Sequence, residues 1–149
     1  TKPTSPISDF KDLLKFEGVN VIPVESMRGT GSAFALPGVG IHIDPLEINN
    51  LDLLRHEFGH ILQHRNWGSL DFIEIAKISL ESFNANKILH KFTWTEWSAN
   101  YLSYNFLGRP SNWNHTLFPT NGLEISGWFY QNMPQKFILK FNYNYIFLK

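Results

Sequence analysis

The chain of 149 residues contains no cysteine. That excludes a disulfide framework and every thiolate metal site, so any metal bound here must be held by His, Asp or Glu. There is no excess of charge either: 13 Lys and Arg are matched by 13 Asp and Glu. A neutral chain offers no electrostatic footprint for nucleic acid, which is not expected as a partner. No apolar run approaches the ~20 residues that a membrane-spanning helix needs. Repeats, low-complexity tracts and a signal-peptide pattern are also missing. What remains is a globular composition, 43% hydrophobic and 15% aromatic, sufficient for one domain over 1–149 with its own core. The opening Thr1-Lys2-Pro3-Thr4-Ser5-Pro6 reads as a linker without an initiator Met, as in a domain belonging to a longer protein.

One stretch carries chemistry. Leu54-Arg55-His56-Glu57-Phe58-Gly59-His60-Ile61-Leu62-Gln63-His64 contains His-Glu-x-x-His. Residues four apart lie one above the other on a helix, so His56 and His60 can reach one zinc ion. Glu57 points about 100° away around the axis, beside such an ion, where a general base takes a proton from water. Leu51, Leu54, Phe58, Ile61 and Leu62 form an apolar stripe nearly opposite the two imidazoles. One face therefore suits a core and the other a cleft. Gly59, between the ligands, would admit another backbone or a substrate at close range. His64 continues the row, but three side chains in line surround a tetrahedral ion poorly. It is expected to line the cleft or the surface, and His42, His90 and His115 are weaker candidates still.

The rest of the chain supplies a scaffold. Ile7 to Phe16 has helical spacing, with Ser8 or Asp9 as N-cap and Gly18 as stop. Val19–Val24, Ser32–Leu36 and Gly38–Asp44 read as strands around turn-rich segments. The last is either an edge to which an extended peptide adds, its two glycines allowing close approach, or an ordinary strand. Asp44-Pro45 is expected to lead directly into the metal helix, with Pro45 in its first turn and the end near Asn66-Trp67-Gly68. Leu70 to Phe83 predicts a second helix, apolar around much of its girth and so buried or interfacial. Residues 82–92 are ambiguous, and 117–135 is irregular. From Lys136 on, Phe137, Leu139, Phe141, Tyr143, Tyr145 and Phe147 alternate, which predicts a strand or an extended tail.

Thr93-Trp94-Thr95-Glu96-Trp97-Ser98-Ala99-Asn100 supports two readings. Thr93 and Glu96 match a capping box, in which Glu96 only closes its own helix. Alternatively Glu96 is the third zinc ligand, with Asn100 one turn on to orient a ligand imidazole. A catalytic zinc takes three protein ligands and keeps one position open, and the ligand reading is preferred.

His56, Glu57, His60, Glu96 and Asn100 together resemble the gluzincin branch of zinc metallopeptidases, in which His-Glu-x-x-His is followed by a helix-borne Glu with Asp or Asn four residues later. The strings RHEFGHILQ and WTEWSANYLS are also similar to small zincin-like domains of Bacteroidetes proteins, some of them attached to RHS-type repeats. The resemblance implies an α+β zincin-like fold: a small mixed sheet packed on the active-site helix, with a second helix donating Glu96. It implies peptide-bond hydrolysis, a peptide or protein as substrate, zinc as cofactor and Glu57 as base. The family also has a His or Tyr that steadies the oxyanion, and no residue here aligns with it. Two other readings stand beside this one: an inactive zinc-bound module that binds a partner protein, and a secreted effector or toxin peptidase. The compartment is open, with a bacterial secreted or cell-surface placement preferred.

Overall fold

Four short strands come first: β1 (Lys15–Phe16), β2 (Val19–Pro23), β3 (Ala33–Leu36) and β4 (Gly40–Ile43). They appear in a computed structural model that describes residues 14–121 and 133–140. The strands form one mixed sheet in the order β1-β2-β4-β3. β1 and β2 run antiparallel, β2 and β4 parallel, and β3 and β4 antiparallel. Among the described residues α1 (Leu51–Trp67), α2 (Ser69–Ala85) and α3 (Trp94–Phe106) follow, with a further helical turn over 135–140. The fold is mixed α+β. No helix among the described residues is long and apolar enough to cross a membrane.

β4 is interior, so it is not the edge to which a peptide could add; among the described residues β3 takes that place. Burial explains the order. Ile41 and Ile43 of β4 are fully buried, whereas Phe34 and Leu36 of β3 leave their outer faces to solvent. A Cβ on Gly40 would lie 2.5 Å from the carbonyl oxygen of Asn20. The close approach that this glycine allows is therefore that of the neighbouring strand β2.

Lys15 and Phe16 belong to a strand rather than to the end of a helix, and residues 7–13 of that expected helix lie outside the described residues. Pro45 does not start α1 either. Pro45–Glu47 is a separate 3-10 turn, whose Leu46 N–H donates to the buried Asp44 carboxylate at 2.9 Å. The carboxylate also accepts from Gly31 N–H at 2.8 Å and so ties the β3 approach to the turn. α1 is capped instead by Asn50, whose Oδ1 accepts from Leu53 N–H at 3.2 Å.

α1 is buried along most of its length, its stripe of Leu54, Phe58, Ile61 and Leu62 meeting the sheet-side core. Leu51 is the exception at 42% exposed. α3 lies across α1 at Gly59, where a Cβ would come within 2.1 Å of the Ala99 carbonyl oxygen. α2 follows α1 after Gly68 alone and is less buried than its sequence suggests. Only Ile75 is fully covered, and Leu70, Ile73 and Leu80 remain exposed.

Residues 135–140 are helical rather than extended. Alternation misleads here because one residue decides the packing: Phe137 is fully buried, its ring 4.8 Å from that of Trp94 and 5.7 Å from that of Trp67. Lys136, with Asp71 and Glu74, and Lys140, with Asp71, fasten this turn to α2. The remainder of the expected strand, 141–149, lies outside the described residues.

Candidate metal centre

α1 and α3 bring three sequence-distant groups together. His56 Nε2 lies 3.2 Å and His60 Nε2 3.3 Å from the same oxygen of Glu96, Oε1. One ligand atom from each of these residues lies within 4.8 Å of the others, so the cluster can hold a metal ion. Glu96 does not close its own helix: Thr93 makes no side-chain cap, and the Glu96 carboxylate is turned inward and buried. Its second oxygen accepts from Thr95 Oγ1 at 2.8 Å, which leaves Oε1 facing the imidazoles.

Two carboxamides fix both rings. His56 Nδ1 is 2.7 Å from Asn100 Oδ1, and Asn100 Nδ2 donates to the Pro119 carbonyl at 2.9 Å. His60 Nδ1 is 2.8 Å from Gln63 Oε1, and Gln63 Nε2 donates to the Thr95 carbonyl at 2.8 Å and Ser98 Oγ at 2.9 Å. Each amide has its NH₂ committed to an acceptor, so its oxygen must face the imidazole, which then carries its proton on Nδ1. In the neutral rings both Nε2 atoms are bare lone pairs directed at a carboxylate oxygen. Three acceptors converging in a buried place are costly without a donor among them, and a positive charge meets that need best.

Protons or a metal can supply that charge. Burial pushes the pKa of His60 down, but the charge of Glu96, its hydrogen bond and the charge of Glu57 outweigh this and hold it up at about 9. His56 is raised by the same contest between burial and the Glu96 hydrogen bond. Burial alone would raise the pKa of Glu96, yet the His60 charge and the three imidazole hydrogen bonds hold it well below the ordinary carboxylate range.

Glu57 stays outside the cluster. Its Oε1 is 4.0 Å from His56 Nε2, and the buried side chain faces the same cavity. That cavity, about 540 Å³, lies between β3 and α2 with the His/His/Glu group in its wall. No protein-family model, curated protein or solved structure matches the chain.

The other histidines separate clearly. His64 Nε2 meets Ser69 Oγ at 3.0 Å, and its ring packs edge-on to Phe72. His42 stacks on Phe34 at 4.8 Å, and His115 reaches Thr120 Oγ1 at 3.2 Å. None of these three touches Glu96. His90 does: a 3-10 turn, His90–Phe92, carries its Nε2 to 3.0 Å from Glu96 Oε1, with Nδ1 2.6 Å from Ser82 Oγ. Sequence spacing gave His90 little weight because nothing local ties it to α1. Gln63 was missed although a signal existed: a residue three positions after a ligand can reach back to that imidazole.

Proposed function

We propose that the chain is a zinc-dependent peptidase of zincin-like, gluzincin-type fold that hydrolyses peptide bonds, with His56, His60 and Glu96 as ligands. The observation that carries this reading is the fixed tautomer of both imidazoles. Asn100 and Gln63 hold Nδ1–H, so that two Nε2 lone pairs and one carboxylate oxygen meet at a point beside a cavity. This is the donor set, with supporting amides, that suits a catalytic zinc. Zinc bound there supplies an acidified water and a Lewis acid for a carbonyl oxygen.

Glu57, buried beside the ligands and facing the cavity, takes the proton from water and returns it to the leaving amine. The substrate lies along β3. Asp44 N–H donates to the Ser32 carbonyl, so 32, 34 and 36 direct their backbone groups toward β4. Ala33 and Ala35 then direct theirs outward at the cavity, where an extended peptide pairs with them.

The test compares wild type with Glu57→Gln on a denatured-protein or peptide library, with metal analysis of both. Both should hold about one zinc per chain, and cleavage should fall at least ~100-fold in the variant. Equal cleavage rules out Glu57 as base. Zinc retained without any cleavage by wild type favours a partner-binding module instead.

A further inference from the structure

Resting on that reading, the structure assigns a specificity role to Ala76: it floors a notch in the cavity wall that takes a large apolar side chain of the substrate. Phe72, Ala76, Ser79, Leu80 and Phe83 line the cavity from a single face of α2, as residues spaced by four, three, one and three must. The two aromatic residues at the ends of this row are held by neighbours. The Phe72 ring packs edge-on to His64 at 5.7 Å, and the Phe83 ring edge-on to His90 at 5.4 Å. Between them the row drops to the methyl of Ala76. Ala33 and Ala35 of β3 also line the cavity and add little bulk to it, with Phe34 between them.

A peptide paired with β3 alternates its side chains, so every second one points to the same side. Seated beside the metal group, one of these reaches toward α2. There it meets Phe72, Leu80 and Phe83 and no carboxylate or cation on that face of the helix. Leucine- or phenylalanine-sized groups gain apolar contact there that glycine cannot. The expected discrimination is about 10–100-fold, the usual value of a few methylenes in an apolar pocket. Ala76 itself is exposed, so a larger residue at this position fills the notch without disturbing the core.

The experiment titrates three succinyl hydroxamates into the zinc-loaded chain: unsubstituted, 2-isobutyl and 2-benzyl. Wild type should bind the two substituted compounds about 10–100-fold more tightly than the parent. Ala76→Phe should erase this preference while leaving parent binding within about threefold. Equal binding of all three by wild type, or an unchanged preference in Ala76→Phe, overturns the assignment. The parent compound depends on the metal alone, so its failure to bind counts against the zinc reading and not against the notch. The notch is then judged on metal-free protein by saturation-transfer NMR with N-acetyl-leucinamide and N-acetyl-glycinamide. A leucine signal that is present in wild type and absent in Ala76→Phe supports it; no difference between the two amides overturns it.

Discussion

In the metal-free protein, stability should fall as pH rises, and the fall can be sized. In the metal-free chain His60 is protonated against Glu96 and Glu57, and its pKa stands at about 9 against an ordinary 6.5. A group whose pKa is raised on folding stabilises the fold fully below its unfolded value, and that contribution is lost as pH rises through the folded value. The window is therefore pH 6.5 to 9. A rise of that extent corresponds to about 3 kcal/mol, counted once for the imidazole–carboxylate pair. For a domain of this size that is roughly 10 °C in Tm. The assay is thermal unfolding of chelator-treated protein at pH 6.0 and 9.5, beside the same pair of scans for Glu96→Gln. Wild type should lose most of the 10 °C, and the variant, lacking the carboxylate that raises the imidazoles, should lose far less. If zinc is bound as proposed, it would replace the protons, and the gap between loaded and stripped protein should widen with pH. A stripped wild type whose Tm is flat or rises across this window, or which slopes like Glu96→Gln, would refute the buried imidazole–carboxylate arrangement.

Gly59→Ala should destabilise the fold by about 3 kcal/mol or more, because its Cβ would lie 2.1 Å from backbone at Ala99. By separating α1 from α3 it should also weaken zinc binding, so wild-type melting and affinity together would count against that contact. Asn100→Ala should lower zinc affinity about 10–100-fold, measured by competition with a chromogenic chelator. It should also cost about 1–3 kcal/mol by leaving the Pro119 carbonyl unpaired. Asn100→Asp, which keeps the acceptor for His56, should recover most of the affinity, and failure to do so would assign Asn100 to packing alone.

The parts of the site that sequence made legible are those set by helix periodicity. His56 and His60 share a face because they are four apart, and Asn100 shares one with Glu96 for the same reason. Which helices meet is a long-range matter, so the convergence of Glu96 on the two imidazoles needed the α1–α3 packing to become visible. His90 was illegible for the same reason, since its place depends on how the turn after α2 folds back. In the sheet, the strands expected over Val19–Val24, Ser32–Leu36 and Gly38–Asp44 were legible to within a residue or two from turn residues and, in the last, alternation, but strand order was not. Local pattern is the same for a central strand and an edge strand, and only the fully buried Ile41 and Ile43 place β4 inside. Asn50 was overlooked as a cap because Pro45 offered an earlier, equally regular start, which the chain uses for a separate 3-10 turn.

The two amides show why such a site and its fold stand or fall together. Gln63 belongs to α1 and holds His60 of the same helix, yet its NH₂ is spent on the Thr95 carbonyl and the Ser98 hydroxyl of α3. Asn100 belongs to α3 and holds His56 of α1, its NH₂ spent on the loop at Pro119. Neither imidazole is oriented by its own helix alone. A shift of α3 along α1 would break the Gln63 bonds and release His60, and it would carry Asn100 away from His56 and Glu96 away from both rings. All of these partners are satisfied in the register in which Gly59 lies directly against the Ala99 backbone. Buried polar groups cost most when left unpaired, so wrong registers are penalised several times over. The same bonds that select one packing of the helices thus fix the tautomers that leave two Nε2 atoms bare.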